Sequence, residues 1–173
     1  MKNKKAFLLG EETLKIIVAL IVIVFLVYFL FALFYSSSTK SKQRQAEAVL
    51  EESVSGSIKT AIERARSGQG SVGGNAEEVP VPNPLGWHLF SFTGSEIKPN
   101  DCAGENCLCI CDKVWAFNAA APFTDKEERQ AGKCDSGGAC LAVPDIVDFT
   151  DIEIKKSTIL LVRNEGGIII TER

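Results

Sequence analysis

Histidine occurs once in this chain of 173 residues, at His88, so the two-histidine helix of a zinc protease cannot be built from it. Nucleophile elbows, phosphate-binding loops and N-x-S/T glycosylation sites are absent as well. Base does not exceed acid: 19 Lys and Arg stand against 22 Asp and Glu, a net charge of −3. That balance argues against a nucleic-acid partner, which needs a basic surface to neutralise phosphates. No C-x-x-C pair occurs, which removes the usual signature of zinc knuckles and of thioredoxin-like redox pairs. Cysteine is missing outside Cys102–Cys140, and charge, amide, Gly and Pro are all missing from Ile16–Tyr35.

That last gap organises the chain. Sixteen of the twenty residues from Ile16 to Tyr35 are Leu, Ile, Val or Phe. As a helix they would span roughly 30 Å, the hydrocarbon thickness of a bilayer, with an insertion free energy on the order of −5 to −9 kcal/mol. A soluble core helix is rarely apolar on every face for so long. Residues 1–15 read as a basic leader, 16–35 as a transmembrane helix, and the bilayer as a partner. A cleaved secretory signal fits poorly, because the apolar run is long and only Ser36, Ser37 and Ser38 follow it as small residues. Four bases precede the run (Lys2, Lys4, Lys5, Lys15) and three follow it (Lys40, Lys42, Arg44), so charge alone barely favours a cytoplasmic N-terminus. The clustered cysteines favour placing the C-terminal head outside, in an oxidising space.

Residues 36–67 contain no Pro and carry Ala46, Leu50, Val54, Ile58, Ala61, Ile62 and Ala65 three and four apart, an amphipathic stalk helix with a narrow apolar stripe. The stripe suits packing on the chain's own head or on copies of itself. Gly56 between Ser55 and Ser57 marks a bend; without one, a single rod would run from Leu14 to Ser67, roughly 80 Å long. Residues 68–84, with four Gly and three Pro, read as a linker. Gly68, Gly70 and Gly73 satisfy G-x-G-x-x-G but follow a helix and run into prolines, so no nucleotide partner is expected.

Residues 85–173 form the expected head. Trp87–Gly94 reads as a strand, Val114–Phe117 as a prolongation of the cysteine strand, and Thr150–Lys155 as a half-buried strand. Thr158–Arg163 and Ile168–Glu172, separated by Asn164–Gly167, form the clearest hairpin. Thr124 and Glu127 make a capping box for a short charged helix, with a solvated loop as the alternative. The acidic pairs Glu11-Glu12, Glu51-Glu52 and Glu127-Glu128 read as solvated. The fold class is therefore α+β: a long N-terminal transmembrane helix, an amphipathic stalk helix and a small antiparallel β-sheet head stabilised by disulfides.

The six disulfide candidates are Cys102, Cys107, Cys109, Cys111, Cys134 and Cys140. Cys107, Cys109 and Cys111 alternate, so on a strand they share one face, with Leu108 and Ile110 on the other. Residues two apart on a strand are badly aimed for bridging. Each therefore needs a partner among Cys102, Cys134 and Cys140, which leaves six of the fifteen connectivities open. A local Cys134–Cys140 loop across Asp135–Gly138 is a variant. Metal binding by Cys102, Cys107, Cys109 and Cys111 is the alternative, although the spacing departs from zinc and iron–sulfur patterns. A redox-active thiol activated by Lys113 or Lys133 and a His88–thiol dyad are two more. No cofactor is implied.

The leader ending at Gly10, the unbroken apolar segment, the amphipathic helix, the linker and the cystine-bearing β head together resemble type IV pilin-like proteins, including archaeal ones. The Cys107-Leu-Cys-Ile-Cys111 stretch also looks like small archaeal surface proteins. The pilin resemblance implies cleavage after Gly10, a mature chain starting at Glu11, and self-association through the N-terminal helix. It also sets Lys15 where bacterial members carry a glutamate. Two functional classes follow: a non-enzymatic, single-pass, membrane-anchored surface protein, as a filament subunit or an adhesion protein, or a membrane-tethered thiol-redox or metal module.

Overall fold

A run of Leu, Ile, Val and Phe with no Gly or Pro to interrupt it favours continuous helix. In the computed structural model, which describes residues 3–51, 56–114 and 126–173, helix α1 spans Asn3–Glu51. The chain divides into two compact units, Met1–Thr39 and Lys40–Arg173.

From Asn3 onward the first unit is helix. Its large apolar side chains from Leu14 to Phe34 are exposed on every face, from 49% at Val22 to 76% at Phe34. The Phe25 and Phe29 rings, one turn apart, stack with centroids 6.4 Å apart. This helix is long and apolar enough to cross a membrane.

The second unit begins with the last turns of α1, where Ala46 and Leu50 are fully buried. The single rod through Ser67 is not formed: α1 ends at Glu51, Gly56 takes φ 133°, and a separate helix α2 covers Ile58–Ser67. Ser57 caps α2, its hydroxyl accepting from the Thr60 backbone N–H at 3.2 Å. Gly68 ends the helix in the left-handed conformation, its N–H bonded to the Arg64 carbonyl. The apolar stripe does pack on the chain's own head, since Ile58, Ala61, Ile62 and Ala65 join Ala46 and Leu50 in one core; Val54 lies outside the described residues.

The stretch expected as a linker carries a β-bridge and a strand. Gly70 and Gly74 bridge across a tight turn in which a side chain at Gly70 would collide with the Ala76 backbone. Strand β1, Ala76–Pro80, then pairs antiparallel with β6, Ile159–Asn164. The hairpin is as expected, β6 pairing with β7, Ile168–Glu172, to complete a three-stranded sheet in the order β1-β6-β7. The second antiparallel sheet has four strands in the order β4-β3-β2-β5: β2 is His88–Phe92, β3 Cys107–Cys111, β4 Ala139–Ala142 and β5 the short Ile152–Glu153. Val114 does not prolong β3, and residues 115–117 lie outside the described residues, as do Thr124 and Asp125. Helix α3 covers Lys126–Gly137.

One aliphatic core joins both sheets to the helices. Val79, Leu160, Val162, Ile168 and Ile170 from the first sheet meet Leu89, Leu108, Ile110 and Leu141 from the second. The opposite face of the four-stranded sheet forms a second cluster, of Phe92, Cys102, Cys107, Cys109, Cys111, Ala131 and Cys134.

Candidate functional site

Alternation on β3 puts Leu108 and Ile110 into the aliphatic core and all three strand cysteines on the other face, as their spacing predicts. Each bridges to one of the other three cysteines. Cys109 and Cys140 are direct cross-strand partners on β3 and β4, with Cα atoms 4.1 Å apart. Directly opposed antiparallel residues approach to about 4.5 Å, so this register presents the pair for bridging. Cys111 meets Cys134 on α3 at 5.1 Å, and Cys102, on the turn Asn100–Cys102, meets Cys107 at 5.7 Å. The local Cys134–Cys140 variant is not adopted. Gly138 fits closely at this junction: its N–H bonds the Cys134 carbonyl, and a side chain there would collide with Cys111 Cβ. The helix thus ends against β3 with Cys134 over Cys111, while the next turn delivers Cys140 to Cys109.

Gln130 knits α3 to this face. Its amide oxygen accepts from the Val114 N–H at 2.9 Å, and its amide nitrogen donates to the Asp112 carbonyl at 2.9 Å and contacts Cys111 Sγ at 3.3 Å. No cysteine is free, so the metal set Cys102, Cys107, Cys109 and Cys111 holds no thiolate in this oxidised chain. The two lysines weighed as thiol activators lie on carboxylates: Lys113 on Asp151 at 2.6 Å and Lys133 on Asp112 at 3.6 Å.

His88 sits opposite Cys111 in the β2–β3 register, but the Cys111 sulfur is bridged and the imidazole instead meets Asp151, Nδ1 to Oδ2 at 2.9 Å. The His88–thiol dyad is therefore not formed. Burial pushes the Asp151 carboxyl up, but the hydrogen bond and charge of Lys113, and then His88, outweigh it and hold the carboxyl below its ordinary value. The hydroxyl of Ser91 donates to Asp148 at 2.8 Å, so it is not aligned with His88 as a nucleophile would be. A cleft of about 470 Å³ opens beside this group, lined among others by Phe90, Phe92, Lys113, Gln130 and Asp151. Sequence reasoning missed the His88–Asp151–Lys113 group, whose members are up to 63 residues apart and carry no local motif.

A buried carboxylate, Glu77 on β1, also escaped notice. It accepts from the Ser71 N–H and pairs with Arg64 of α2 at 2.9 Å. The Ser71 backbone bond comes first in holding its carboxyl below the ordinary value; burial opposes it, and Arg64 adds to the lowering. Gly10 and Glu11, the expected processing pair, both lie within the backbone of α1.

Fold and site define an α+β chain with one N-terminal helix long and apolar enough to cross a membrane, followed by a unit tied by three cystines. Comparison with family models, with curated proteins and with solved structures finds no match to this chain.

Proposed function

We propose that this chain is a non-enzymatic, single-pass surface protein whose N-terminal helix lies in the bilayer and whose cystine-bearing head stands on the extracytoplasmic side. The complete pairing of all six cysteines carries the reading, because such cystines persist in oxidising compartments and are rare where thiols are kept reduced. The apolar surface of α1 from Ile16 to Phe34 supports the bilayer as partner and gives copies of the helix a surface on which to associate, as in pilin-like filaments. The absence of an aligned nucleophile and base around His88, among the described residues, fits an interaction role better than a hydrolytic one.

An impermeant maleimide and an external protease, applied to intact cells and then to lysed ones, test the reading. The head is expected to be cleaved from outside and to yield no free thiol when denatured without reductant. A protected head with six reactive thiols would overturn it. Mass spectrometry of the native N-terminus separates two forms: a chain beginning at Glu11 supports the filament subunit, and one retaining Met1 supports a plain anchor.

A further inference from the structure

Two of the three cystines touch. Cys109 Sγ lies 3.8 Å from Cys102 Sγ and 3.8 Å from Cys107 Sγ, although Cys109 is bridged to Cys140 and the other two to each other. All three sulfurs fall within 4.8 Å of one another, and their residues are at most 1% exposed. We propose that reduction of these two cystines uncovers a site for a soft metal ion, zinc or a comparable thiophilic cation, held by Cys102, Cys107 and Cys109, with Cys140 beside it as fourth donor.

The geometry supports this in a way that spacing along the chain does not. In a tetrahedral site with Zn–S bonds of about 2.3 Å, neighbouring sulfurs stand about 3.8 Å apart. Cys109 already stands at that separation from two sulfurs. Among these three sulfurs only the bonded Cys102–Cys107 pair has to part; Cys140, which lies outside the group of three, has to part from Cys109 to serve as the fourth donor. Cys102 is the member able to move, since it ends a short turn followed by Ala103 at φ 50° and Gly104 at φ 84°, whereas Cys107 and Cys109 are held on β3. The third cystine is set apart by its Gln130 contacts, and the aliphatic core on the opposite face of β3 remains to keep the strand in place.

The steps balance with an external dithiol as reductant. Cys140 is the one cysteine of the six that is not buried, so its sulfur is where a thiolate attacks. The Cys109–Cys140 bond breaks, Cys109 leaves as thiolate, and the second thiol of the reductant resolves the mixed disulfide, releasing Cys140 and an oxidised reductant. Reduction of Cys102–Cys107 likewise takes two electrons and two protons from a second dithiol. Metal binding then displaces the thiol protons. The inference does not depend on where the head resides, and its test is independent of the membrane reading.

The full chain in detergent is reduced with a dithiol, freed of reductant without oxygen, given one equivalent of cadmium ion or none, alkylated under native conditions and mapped by peptide mass spectrometry. Cadmium is expected to slow alkylation of Cys102, Cys107 and Cys109 several-fold while leaving Cys111 and Cys134 unprotected. Equal alkylation with and without metal, equal protection of all six, or protection centred on Cys111 and Cys134 would overturn the proposal. As a second measure, the full chain carrying Cys111→Ser and Cys134→Ser should still saturate its thiolate-to-cadmium absorption at one equivalent, and adding Cys109→Ser should abolish that saturation. Retention of the saturation without Cys109 would equally sink it.

Discussion

The two faces of the four-stranded sheet are held by different physics. On one, Leu89, Leu108, Ile110 and Leu141 merge into a core that also takes in α2 and the three-stranded sheet. On the other, a smaller cluster of sulfur, Phe92 and Ala131 is covered by the single short helix α3 and is cross-linked three times. A face with many aliphatic partners draws its stability from burial, at about 25 cal/mol per Å². A thin face gains by restricting the unfolded chain instead. The same strand therefore shows both solutions at alternate residues, and truncating one side or unlinking the other weighs them against each other.

The largest effects are expected there. Leu108→Ala, at a fully buried position, should cost about 2–5 kcal/mol in chemical denaturation of the full chain in detergent. Removing cystines pairwise to alanine should rank by the loop each one closes. With sequence separations of 31, 23 and 5, the losses expected from loop-closure entropy are about 3.7 kcal/mol for Cys109–Cys140, about 3.4 for Cys111–Cys134 and about 2.2 for Cys102–Cys107. A reversed ranking would mean that the cysteine face is held by native packing and not by restriction of the unfolded state.

Acid should act on both sides of the head. Glu77 and Asp151 each sit below their ordinary values when folded, so the unfolded chain binds more protons as the solution is acidified. Their contribution is full above the ordinary carboxylate range near about pH 4 and is lost as pH falls through the folded values. Glu77→Gln should remove part of that acid-side slope, with a loss of about 1–3 kcal/mol at neutral pH for hydrogen bonds to a charged group. Denaturation midpoints across this range check it; a slope unchanged by Glu77→Gln and by Asp151→Asn would place the sensitive groups elsewhere.

What the sequence disclosed and what it concealed follow the same division. The hairpin of β6 and β7 was legible because β-branched runs flank Asn164–Gly167, and the cysteine face because alternation is a local property of a strand. Strand β1 was hidden in Gly- and Pro-rich composition, although Val79 within it and Val81 just after it are buried. The stripe from Ala46 to Ala65 was visible as apolar, but its choice of the head over another copy depends on a turn at Gly56 that periodicity only marks as weak. Connectivity was illegible because two of the three bridges join segments distant in sequence, α3 to β3 and β4 to β3, whose meeting no local pattern encodes. The His88–Asp151 pair was hidden for the same reason.

The smallest expected effect sharpens the account of how α3 is kept on the cysteine face. Lys133 and Asp112 form the visible ion pair between helix and strand end, but both side chains are at least 40% exposed and 3.6 Å apart. Exposed pairs of this kind contribute about 0–1 kcal/mol, because water screens the attraction and two long side chains lose freedom. Lys133→Ala should therefore shift the denaturation midpoint barely at all. Gln130→Ala, by contrast, removes a buried amide from the half-buried Val114 N–H and Asp112 carbonyl, and hydrogen bonds of this kind contribute about 0.5–1.5 kcal/mol each. If Lys133→Ala proved the more damaging, the helix would be clamped by charge at its rim. The buried Gln130 amide and the Cys111–Cys134 bridge predict the opposite order, since both are far less exposed to water than the ion pair.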